Sequence, residues 1–207
     1  MFIGVTEAES SATIIKEAKK WLGCEETKQN RSECVDKIQL LYNNKINAEA
    51  WCCKFVWAMT NEACKKLGVE NPLIQTASTT TLLSNAKKNL RVDAEPGVGS
   101  IFYTTRTGGG HVGFVLEINK NKFKTIEGNT TEDGGKIDGV WNKNRDINTK
   151  KYQFIHLEDL DTFENNLFAP LQFELDMILA DPRTYFTASV VLAGSFFAIY
   201  KLNKKRK

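Results

Sequence analysis

At Pro96-Gly97 the hydrophobic rhythm of the chain changes, and that switch limits the architectures open to it. Upstream, apolar residues recur at helical spacing. Ser11 to Gly23 reads as a helix capped by Ser11, with Ile14, Ile15, Ala18, Trp21 and Leu22 on one side and Gly23 as its stop. A second helix starts near Asn30 or Ser32 and runs through Val35, Ile38, Leu41 and Tyr42 to the Asn43-Asn44 break. A third begins near Glu49 or Ala50 and ends at Leu67, with Gly68 as terminator. A Ser/Thr-rich stretch, Thr76 to Thr81, leads to the switch point. Downstream come short β-like runs: Ser100 to Thr105, His111 to Ile118, Phe123 to Gly128, Val140 to Asn142 and Tyr152 to Leu157, separated by Gly- and Asn-rich turns. Helices first and strands after predict an α+β domain with an antiparallel sheet.

Charge divides the chain further. The formal total of +3 is too small to point to a nucleic-acid partner, but it hides segregation. Residues 1 to 151 carry +4, residues 152 to 182 carry −7, and residues 183 to 207 carry +6. The predicted organisation is a folded body over 1–157, an acidic and amphipathic connector over 158–182, and a membrane anchor over 183–207. Thr184 to Tyr200 is a 17-residue stretch without a charge, and five of the seven residues after it are basic. As a helix it would span roughly 25 Å, just short of a ~30 Å hydrocarbon core. Tyr185 and Tyr200 sit where aromatic belts form, and the basic end suits anionic headgroups. A buried C-terminal core helix is the competing reading. With hydrophobic residues at 42% and charged residues at 26%, neither wholesale disorder nor a polytopic membrane protein is expected. The opening MFIGVTEAES shows no secretory signal pattern.

Five cysteines, Cys24, Cys34, Cys52, Cys53 and Cys64, are an odd set at irregular spacing, which leaves at least one thiol free. With two histidines and no CxxC pair, a structural zinc site is not expected. Cys52 and Cys53 fall where the third helix begins, and a thiol there meets the positive end of the helix dipole, which favours the thiolate. Helical spacing turns the two to different faces, so only one can face a cleft. Taken alone, a helical cysteine is more often a core residue. His111 follows Gly108-Gly109-Gly110 and opens an alternating strand, which suits a base held firmly beside an approaching substrate. Glu127 and Asn129, at the end of the next strand, share a face by the period of two, and either could orient the imidazole.

The order WCxxFV (Trp51 to Val56), GHVGFV (Gly110 to Val115) and EGN (Glu127 to Asn129) resembles the CHAP family of cysteine peptidases and amidases, within the papain-like NlpC group. The resemblance spans about residues 10 to 157. It implies a papain-like fold, Cys52 as nucleophile, His111 as general base, and Glu127 and Asn129 as the groups that orient His111 or complete the polar site. It further implies that Cys53 is not the nucleophile and that the substrate is an amide bond of peptidoglycan. No cofactor is implied. Some relatives bind calcium in an acidic loop ahead of the cysteine helix, but Asn43 to Glu49 offers one carboxylate, so no metal is expected there. The Gly-Asp pair frequent in relatives before the first core strand is replaced by Val98-Gly99-Ser100. The expectation is a peptidoglycan-degrading cysteine hydrolase held at a membrane, such as a virion-borne lytic enzyme. The rivals are a cysteine amidase acting on another amide and a non-catalytic membrane protein that keeps the fold.

Overall fold

The computed structural model describes residues 5–106, 109–148 and 151–157. These residues form helices α1 (Glu7–Lys19), α2 (Glu33–Asn43), α3 (Cys52–Leu67) and α4 (Thr79–Asn89). Strands follow: β1 (Val92–Asp93), β2 (Ile101–Arg106), β3 (Gly109–Asn119), β4 (Lys122–Thr131), β5 (Asp138–Asp146) and β6 (Tyr152–Ile155). The strands build one antiparallel sheet in the order β1-β6-β2-β3-β4-β5, so the architecture is α+β, as the change of rhythm predicts.

Several helix ends obey their local chemistry. The Ser32 hydroxyl caps α2 by accepting the Val35 amide at 3.2 Å, and Asn44 closes that helix in the left-handed region. Gly68 ends α3 in the same conformation, at φ 72°. Other boundaries differ from the sequence expectation. The first helix begins at Glu7 rather than Ser11, because Thr6 caps it and Glu7 and Glu9 lie in its positive first turn. It stops at Lys19, four residues before Gly23. The cysteine helix begins at Cys52, two or three residues later than expected. A fourth helix starts inside the Ser/Thr-rich stretch, at Thr79, and runs on to Asn89: the Ser78 hydroxyl accepts the Thr81 amide, and Leu82, Leu83 and Ala86 are buried.

The sheet separates two apolar clusters. On one side Ile101, Val112, Phe114 and Ile126 pack with Ile14 and Ala18 of α1, Val35 and Ile38 of α2, and Phe55, Val56 and Met59 of α3. Strand alternation turns Phe102, Val115, Phe123, Tyr152 and Phe154 to the other side, where the rings meet edge to face at 5.0–6.2 Å. Each fully buried side chain of this size contributes about 1.5–3 kcal/mol. The central strands β3 and β4 are thereby held from both faces, which gives residues at their ends a rigid base. No helix among the described residues is long and apolar enough to cross a membrane. The acidic connector, the span expected over 184–200 and the basic tail lie outside the described residues.

Candidate active site

Cys52 is the first residue of α3, and Trp51 before it is the N-cap with no side-chain cap bond. The opening amides of the helix are thus left for the thiol: those of Cys52 and Cys53, together with the Val112 amide of β3, all favour the thiolate. The Arg106 charge acts in the same direction. Burial is nevertheless the largest influence, and it pushes the Cys52 thiol above its ordinary value. The lowered thiol expected from the helix dipole is therefore corrected: the backbone amides and Arg106 only partly offset desolvation, so the net shift is upward. Cys53 is fully buried and is likewise pushed up, by burial and by the neighbouring Cys52. Both cysteines are buried, and what separates them is that the Val112 amide and Arg106 act on Cys52.

His111 lies near the start of β3, opposite Thr104 of β2, with its ring 5.8 Å from that of Phe102. Its Nε2 meets Glu127 Oε2 at 2.8 Å. Glu127 is fully buried and has further partners: Arg145 Nε donates to Oε1 at 2.6 Å, Arg145 Nη2 donates to Oε2, and the Thr125 hydroxyl donates to Oε1. Arg106 stands 3.8 Å from Oε2. Gly113 makes room for this carboxylate, since a Cβ there would lie 2.7 Å from Glu127 Cγ and 2.8 Å from Phe102.

Burial alone would raise the Glu127 carboxyl, but hydrogen bonds from His111 and Arg145 outweigh it and hold it at about 2. His111 moves to about 4, chiefly through burial, with Arg106 and Arg145 adding to a fall that Glu127 only partly opposes. A neutral imidazole beside an ionised carboxylate has one tautomer open to it. Glu127 can only accept, so Nε2 carries the proton and Nδ1 holds the free lone pair. The Arg145 guanidinium lies 4.7 Å over the Phe102 ring, which fixes its plane.

Asn129 goes elsewhere. The register shifts between Glu127 and Thr130, and Asn129 adopts φ 57°, so the expected shared face is broken. Its Oδ1 accepts the Trp51 backbone N–H at 3.1 Å, and its amide donates to Glu26 at 3.4 Å and Asn30 at 3.3 Å. Asn129 thus steadies the entry to α3, and Glu127 is the residue that reaches the imidazole. Gly128 permits this approach: a Cβ there would sit 2.7 Å from the Trp51 ring. No hydrogen bond joins Cys52 Sγ to His111 among the described residues; the thiol meets β3 at the amide next to the histidine. The buried Lys54 ammonium of α3 reaches back to the preceding loop, where it bonds Asn47 and lies 3.1 Å from Glu49, whose carboxylate is therefore engaged.

The sequence reading did not single out Arg106, Arg145, Thr125 or Glu26. Arg145 pairs with Phe123, four residues before Glu127 in β4, and its long side chain covers the remaining distance to the carboxylate, so no sequence signal marked the contact. The structure also joins Cys24 to Cys34 in a disulfide, leaving Cys52, Cys53 and Cys64 as thiols.

Residues 42–129 match the family model of the CHAP domain. That stretch runs from the end of α2 into β4 and contains Cys52, His111, Glu127 and Asn129. No curated protein matches the chain.

Proposed function

We propose, from the match of residues 42–129 to the CHAP domain model, that this chain is a cysteine hydrolase that cleaves amide bonds of peptidoglycan. The observation that carries the proposal is the buried His111–Glu127 pair, whose ionised carboxylate fixes the imidazole with Nδ1 free to take a proton. In the proposed cycle Nδ1 takes the Cys52 proton as sulfur attacks the scissile carbonyl. The amides at the start of α3 receive the oxyanion. The tetrahedral species collapses as His111 returns the proton to the leaving amine, which leaves a thioester on Cys52. Water, deprotonated by His111, then attacks the thioester, and the carboxylate product leaves as the thiol is restored. Glu127 stays ionised and stabilises the imidazolium formed in each half-reaction.

We further place residues 184–200 in a membrane, on the strength of their uncharged run and the basic residues behind it. The Cys24–Cys34 bridge supports a catalytic body on the oxidising side, where disulfides persist. A virion-borne lytic enzyme satisfies both features. The catalytic proposal is tested by incubating the purified chain with peptidoglycan and determining the masses of the released fragments. Fragments ending in a newly freed amine and carboxylate identify the bond; intact sacculi refute the proposal. An Asp introduced between Val190 and Phe197 should release the protein from membranes, and retention would favour the core-helix reading.

A further inference from the structure

The Cys24–Cys34 bridge, with Cα atoms 5.9 Å apart, closes a loop between α1 and α2 whose side chains converge on the start of α3. Glu26 is its hub. Oε1 accepts from the Trp51 indole at 2.8 Å and from the Asn129 amide at 3.4 Å, while Oε2 accepts the Asn30 backbone N–H at 2.6 Å. Asn30 adds a bond from Asn129 to its own Oδ1 at 3.3 Å and donates to the Ala48 carbonyl at 3.3 Å. The loop is also stitched to β5, through Gly23 N–H to the Val140 carbonyl, Glu26 N–H to the Asp138 carbonyl and Val140 N–H to the Cys24 carbonyl. One link remains: Asn129 Oδ1 holds the Trp51 N–H, and the next residue is Cys52.

We infer that the disulfide-closed loop is a positioning element for the Cys52 nucleophile, with Glu26 as the positioning residue, so that reducing Cys24–Cys34 slows turnover without dismantling the fold. This rests on the cysteine-hydrolase reading. A dithiol such as dithiothreitol delivers two electrons and two protons to the bridge. The S–S bond breaks, two cysteine thiols form, and the reductant closes to its own disulfide. Cys52, already a thiol, is unchanged. What changes is the freedom of the loop, and displacement of a reacting group by about 1 Å can cost on the order of a hundredfold in rate.

The test compares the full chain with its bridge intact, the same protein after reduction by dithiothreitol, the double variant Cys24→Ser/Cys34→Ser, and Glu26→Ala and Glu26→Gln. Hydrolysis of soluble peptidoglycan fragments, alkylation of Cys52 by iodoacetamide followed by peptide mass, and far-UV circular dichroism are read in parallel. The expected result is a kcat lowered about ten- to a hundredfold on reduction and in Glu26→Ala, with KM unchanged, altered Cys52 alkylation and retained helix signal. Glu26→Gln should recover part of the rate, because its amide oxygen still accepts from Trp51 and Asn129. Wild-type kcat and alkylation rate in the reduced protein and in Glu26→Ala would overturn the inference. So would a loss of activity that appears only together with loss of the fold. Absence of any Cys52-dependent hydrolysis in the oxidised wild type would count against the functional reading alone, and the alkylation rates would still decide the role of the loop.

Discussion

Acidification should destabilise this protein in a window set by His111. In the unfolded chain the imidazole titrates near its ordinary 6.5, whereas in the native structure burial holds it at about 4. Between those values the unfolded chain binds a proton that the native protein does not, so stability falls as pH falls and is fully retained only above about pH 6.5. A tenfold difference in proton affinity is worth about 1.4 kcal/mol, so the whole displacement amounts to about 3 kcal/mol. That is a large fraction of the 5–15 kcal/mol typical of a domain. Below about pH 4 both states hold the proton and this loss stops growing. Glu127, held at about 2 against an ordinary 4.5, takes over there, and its contribution is lost as pH falls through that range. The control is His111→Gln, whose amide can still donate to Glu127 but binds no proton. Urea unfolding of both proteins, followed by tryptophan fluorescence at pH 7.5 and pH 4.5, should show the wild type losing about 2–3 kcal/mol more than the variant. Equal losses would refute the claim that His111 is held neutral by its burial.

The same displacement predicts that the acid limb of kcat/KM falls near pH 4 rather than near 6.5, since His111 must be neutral to accept the thiol proton; a limb at 6.5 in a pH–rate profile would contradict it. Arg145→Leu leaves a buried carboxylate without its two-bond partner, which should cost about 3–5 kcal/mol in chemical unfolding. With one cation fewer beside the imidazole, the acid limb of that variant should also move to higher pH. Gly113→Ala drives a methyl into Glu127 and Phe102, so a stability loss of about 1–3 kcal/mol with reduced kcat is expected, measurable by thermal melts and by hydrolysis of soluble fragments.

The parts of this molecule that follow from local chemistry were legible in the sequence. Ser32 and Gly68 mark helix ends by capping and by the left-handed turn, and glycine-bounded alternation marks β3 and β4. The pairing of His111 with Glu127 was legible as one of two options, because each is placed by its own strand. Features that depend on distant partners were not legible. The stretch from Thr79 to Asn89 opens with three threonines, which look like a connection until Leu82, Leu83 and Ala86 find a surface to bury against. Asn129 leaves its expected face because of a register shift that no periodicity announces. Arg145 is 18 residues from Glu127 and reads as an ordinary strand charge until β4 and β5 pair. The helix-start argument for Cys52 pointed to amides that do favour the thiolate, but desolvation, which only the packed structure reveals, outweighs them.

The most direct measurement is the release of soluble fragments from purified peptidoglycan by the wild type, Cys52→Ala and Cys53→Ala, with folding of each checked by circular dichroism. The wild type and Cys53→Ala should release fragments, and Cys52→Ala should release none while remaining folded. Undiminished release by Cys52→Ala would contradict the assignment of Cys52 as nucleophile, and with it the proposed reaction.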